Sequence, residues 1–202
     1  MQNEDQLTGD ELVLYQTQLH IYVSFTSFMT GVVVFFVGLL LSTFHNYDIS
    51  IKIPISFLII SIFGFMYSTL IYTGAADEVS KKQKNSFFRH IFLGDVLSEY
   101  LGIYLLVLSI PLVVGAITND SFLKATSIIS ALAGLTIYQF SHVSMVERHF
   151  KGRHTIISWI ITLLGLAMVI AQNNKIYFTQ ISIIFLIFMI AITYAATKKS
   201  NF

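Results

Sequence analysis

Residues 53–73 read IPISFLIISIFGFMYSTLIYT, with no charged side chain and a proline beside the first position. Hydrocarbon offers a backbone amide no partner, so such a run must close its hydrogen bonds within itself, and about 20 apolar residues wound as a helix cross a bilayer. Pro54 suits the first turn of that helix, where the missing amide proton costs nothing.

Five more runs of the same kind flank it. The spans predicted from the sequence are His20 to Phe44, Ile53 to Thr73, Asp95 to Ile117, Ala125 to Met145, Thr155 to Ala171 and Ile176 to Thr197. The chain therefore reads as all-α, a polytopic membrane protein with six transmembrane helices forming one domain over residues 1–202. A polar segment at 1–19 and a loop at 74–94 lie outside the spans. The loop mixes charges with Val79, Phe87, Phe88, Ile91 and Phe92, a pattern that suits either an interfacial helix or the first turns of a long third helix. Composition agrees: 55% of residues are hydrophobic and 11% charged, against about 25% charged in soluble domains. Mean hydropathy is +0.73.

Lys and Arg distribute unevenly among the gaps. Lys81, Lys82, Lys84, Arg89, Arg148, Lys151, Arg153, Lys198 and Lys199 fall on one side, while Lys52, Lys124 and Lys175 fall on the other. The positive-inside rule then predicts that both termini are cytoplasmic. The acidic start, with Glu4, Asp5, Asp10 and Glu11, is unlike a signal peptide, so the first helix is expected to remain in the mature protein. A net charge of +1 without a basic face argues against nucleic acid as a partner. The expected partners are the bilayer and either further copies of the chain or another membrane protein.

Ionisable groups within spans are costly and therefore mark candidate sites. Projected at about 100° per residue, the third span aligns Asp95, Ser98, Glu99, Gly102 and Ser109. The fourth aligns Ser127, Ala131, Gly134, Tyr138, His142 and, beyond it, His149. The first aligns His20, Ser24, Ser27, Gly31, Gly38 and Ser42. If these faces converge, His20, Asp95, Glu99, Tyr138, His142 and His149 line a polar pocket open to the cytoplasm, able to exchange protons near neutral pH. Faces of Gly, Ser and Ala are also how membrane helices pack, and on that reading Gly31, Gly38, Gly102 and Gly134 mark close contacts. Pro111 removes one backbone bond from the third span, where a kink is expected.

The missing motifs narrow the chemistry. There is no HExxH, no GxSxG, no P-loop and no TVGYG filter, and Gly94-Asp95 lacks the additional glycine of a GxGD protease motif. With no cysteine either, no cofactor or metal is expected. The sequence supports a transporter or channel for a small ion or solute first, then a non-catalytic subunit or regulator, then a membrane-embedded lipid-modifying enzyme.

Overall fold

Each apolar run folds as a helix over its described residues, and the first three helices begin or end well beyond the apolar stretches that announce them, while residues 141–145 of the fourth predicted span lie outside the described residues. The computed structural model describes residues 9–81, 84–140 and 153–198. Helix α1 spans Gly9–Ser42 and α2 spans Lys52–Ser80, joined through two short 3-10 turns, Phe44–Asn46 and Ile49–Ile51. The third span is continuous but built from three pieces: α3 (Lys84–Val96), a π-helical segment (Leu97–Tyr104) and α4 (Leu105–Ile117). Helices α5 (Ser121–Phe140), α6 (Arg153–Asn174) and α7 (Phe178–Lys198) complete the order. Every regular element among the described residues is helical, and six stretches are long and apolar enough to cross a membrane. This is the architecture of a multi-pass helical membrane protein.

Hydropathy misses the helix ends because they are held by packing. Tyr15 sits on Phe87 with ring centroids 4.9 Å apart, and Lys84 donates to Glu11 at 3.1 Å. With Leu19, Tyr72, Ala75, Val79 and Ile91, these residues extend the core past the apolar runs of α1, α2 and α3. Phe87 and Ile91 are buried, so residues 84–96 are the packed beginning of the third span.

That span is the centre of the bundle, in contact with α2, α5, α6 and α7, while α1 lies on α2. Leu105, Leu108 and Leu112 interlock with Phe57, Ile161, Met168, Phe185 and Met189 in one buried cluster. Helix α7 buries a single stripe, Phe178, Ser182, Phe185, Met189, Thr193 and Ala196, and exposes Ile183, Ile184, Ile187 and Ile190.

Two serines of α2 explain how the π segment is held. Ser68 donates to the Gly94 carbonyl and Ser61 to the Gly102 carbonyl, each at 2.9 Å. Side-chain donors that engage a helix's own carbonyls are a recognised cause of local rewinding, and here one bonds a carbonyl three residues before Leu97–Tyr104 and the other a carbonyl within it. Gly64 and Gly102 permit the approach: a Cβ on Gly64 would lie 2.8 Å from the Gly102 nitrogen, and one on Gly102 would lie 2.7 Å from the Phe65 ring.

The other expected glycine contacts are not made. Nothing lies within 4 Å of where a Cβ would stand on Gly31, Gly38 or Gly134. Helix α1 instead turns Leu19, Thr26, Val33, Val37 and Leu40 inwards, and its whole projected stripe from His20 to Ser42 is exposed. Large branched side chains make more dispersion contacts against Ile51, Ile55 and Leu58 than glycines could, and in hydrocarbon such contacts are the main attraction between helices. Helix α5 is turned only in part: it buries Ala131 of its projected face together with Leu135 and Gln139, while Gly134 is left open.

Candidate functional site: a buried carboxylate and tyrosine cluster

The i, i+4 pair Asp95 and Glu99 lies where α3 passes into the π segment, and both side chains are buried, Glu99 completely. A buried carboxylate needs donors to replace its water. Asp95 receives one from α2, whose Tyr72 hydroxyl donates to Oδ1 at 2.7 Å. Glu99 receives one from α5, whose Tyr138 hydroxyl donates to Oε2 at 3.0 Å. The two acids are thus held from different helices, and the third span carries both.

A wider layer of hydroxyls surrounds them. Ser98 lies 3.4 Å from the Tyr72 hydroxyl and donates to the Asp95 carbonyl at 3.1 Å. Tyr104 exchanges a 2.6 Å hydrogen bond with Ser158 of α6, stacks on Tyr100, and meets the edge of Tyr138. Tyr72, Tyr100 and Tyr104 are all buried.

His20 is exposed on α1, where with Leu19, Val23, Tyr72 and Thr73 it lines a shallow groove of about 370 Å³. Tyr72 is the link: its ring borders that groove and its hydroxyl bonds Asp95. His142 and His149 lie outside the described residues. Asp95, Glu99 and Tyr138 are therefore brought together, with His20 one side chain away.

Tyr72, Tyr104 and Ser158 were not singled out from the sequence. A signal for Tyr72 exists, because projecting α2 aligns Ser61, Ser68 and Tyr72 at spacings of seven and four, the face that meets the third span. Tyr104 and Ser158 carry no comparable pattern.

Chemically, the cluster can hold a proton or a small cation, since carboxylates and phenols offer oxygen ligands and exchangeable protons. No group of three or more His, Asp or Glu that could hold a metal occurs among the described residues. Along the third span, Leu105, Leu108 and Leu112 follow the acids and are buried in the apolar cluster, with Ser109 the buried polar residue among them. Compared with known families, curated proteins and solved structures, the chain matches none.

Proposed function

We propose that this protein is a small membrane transporter whose Asp95 and Glu99 form a proton-binding or cation-binding centre. The observation that carries the reading is the burial of two acids one helical turn apart, each accepting a tyrosine hydroxyl from a different helix. Acids in a spanning helix are expensive and tend to mark ion pathways and proton relays. The apolar block beyond them suits a gated carrier better than an open pore. The uneven spread of basic residues supports a cytoplasmic position for the acid-bearing end.

Flux tests the proposal. Purified protein in liposomes is expected to move protons or a monovalent cation down an imposed gradient, and Glu99→Gln to abolish that flux while the fold survives. Glu99→Gln behaving as the parent at every pH, or no flux under any gradient, would overturn it.

A second reading, a non-catalytic subunit, is favoured by one feature: Ser24, Ser27, Gly31, Gly38 and Ser42 of α1 are exposed, and small residues are what packed membrane helices place at their contacts. Absence of flux together with stoichiometric co-purification of another membrane protein would select it.

A further inference from the structure

At the end of the third span remote from Asp95, the α1–α2, α4–α5 and α6–α7 connections surround a cavity of about 970 Å³. Its lining brings together Lys52, Lys124 and Lys175, the three basic residues predicted for the outer side, and Asp48. Asp48 stays ionised, its carboxyl held below the ordinary aspartate range first by the Ser50 backbone N–H. Three ammonium groups against one carboxylate leave the cavity positive.

Its floor carries an unmet acceptor. Gln172 is only 8% exposed; its Nε2 donates to the Leu112 carbonyl at 2.8 Å, and its buried Oε1 has no partner among the described residues. Gly115 makes room for that oxygen, because a Cβ there would stand 2.6 Å from it. Buried amide oxygens are ordinarily satisfied, so a donor entering the cavity that Gln172 lines would favour a small turn of the amide that brings Oε1 to its surface. The walls also include the apolar Ile53 and Phe178.

We infer that this cavity binds a phosphate ester bearing its own hydrogen-bond donor, the phosphate held among the three lysines and the donor placed on Gln172 Oε1. The volume is at the upper end of small-molecule sites, roughly 300–1,000 Å³, and exceeds what inorganic phosphate alone would fill. A phosphoglycerol group, free or as a lipid headgroup, has the required charge and donors and occupies part of that volume, leaving room beside the apolar walls. This site is separate from the carboxylate cluster and does not depend on transport.

Thermal unfolding in a maltoside detergent tests it, with phosphatidylglycerol, phosphatidylcholine and soluble glycerol 3-phosphate as probes. Phosphatidylglycerol or glycerol 3-phosphate should raise Tm by ligand linkage. Phosphatidylcholine, which has no donor and no net charge, should not. Response to glycerol 3-phosphate identifies a soluble ligand, and response to phosphatidylglycerol alone identifies a lipid. The combined variant Lys52→Gln, Lys124→Gln, Lys175→Gln should bind at least tenfold more weakly, and Gln172→Leu several-fold more weakly, with Tm of each ligand-free protein measured alongside. Equal stabilisation by phosphatidylcholine, no stabilisation by either phosphoglycerol probe, or an undiminished response in the lysine variant overturns the assignment.

Discussion

The Tyr138 hydroxyl donates to Glu99 Oε2 at 3.0 Å and thereby ties α5 to the π segment of the third span. Tyr138→Phe removes that donor and leaves the ring. A buried acceptor deprived of one partner costs about 1–3 kcal/mol. The variant is expected to unfold earlier in detergent by that order, and adding Glu99→Gln should recover part of the loss. A double-mutant cycle on the two positions checks it; purely additive effects would show that the bond contributes nothing.

The two classes of glycine should behave oppositely. Gly102→Ala forces a methyl group against the Phe65 ring, and overpacking of this kind costs about 1–3 kcal/mol. Gly134→Ala enters open space and should be neutral or stabilising by up to about 1 kcal/mol, as expected for alanine replacing glycine within a helix. Unfolding midpoints that ranked the pair in reverse would contradict the packing described for α2 and the third span.

The connection at Asp48 predicts a pH-dependent stability. Its Oδ1 accepts the Ser50 N–H at 2.8 Å, and that bond is the first cause of its lowered pKa. A carboxylate with a depressed folded-state pKa stabilises above its unfolded value and loses that contribution as pH falls through the folded one. Asp48→Ala should therefore lower Tm at neutral pH, and the gap to the parent should narrow below about pH 4. A gap constant from pH 7 to pH 3 would mean the charge is irrelevant.

Orientation is open to labelling, because the chain has no cysteine of its own. Single cysteines at Ser121 and Asn173 are expected to react with an impermeant thiol reagent in intact cells, and one at Ser80 only after lysis. The opposite pattern would invert the topology.

Six spans were legible in the sequence because a bilayer imposes one coarse requirement, a long uncharged helix, that hydropathy reads directly. Faces were less legible. On α1 the small and polar stripe looked like the inward side, yet Val33, Val37 and Leu40 pack inwards and Gly31 and Gly38 do not. When every face of a helix is compatible with lipid, the pattern of small residues does not by itself say which face meets protein. Asp95 and Glu99 stood out as charges in an apolar run. Tyr72 did not, since a tyrosine in α2 looks like an interfacial ring until its hydroxyl is seen on Asp95. The π segment leaves no local mark in the sequence: the serines that bond carbonyls before and within it, Ser68 and Ser61, belong to another helix, and the residue of the third span that signals irregular winding is Pro111.

The π segment also bears on tolerance to changes in chain length. A π turn accommodates one residue more than an α turn in the same place, so removing one residue from Leu97–Tyr104 lets the segment close to α-helical winding with α3 and α4 still in phase. The same deletion within α4 would rotate all that follows by about 100°, taking Gly115 away from Gln172. The third span is therefore expected to absorb a one-residue deletion in the segment that carries Glu99 better than one in α4 ahead of Gly115.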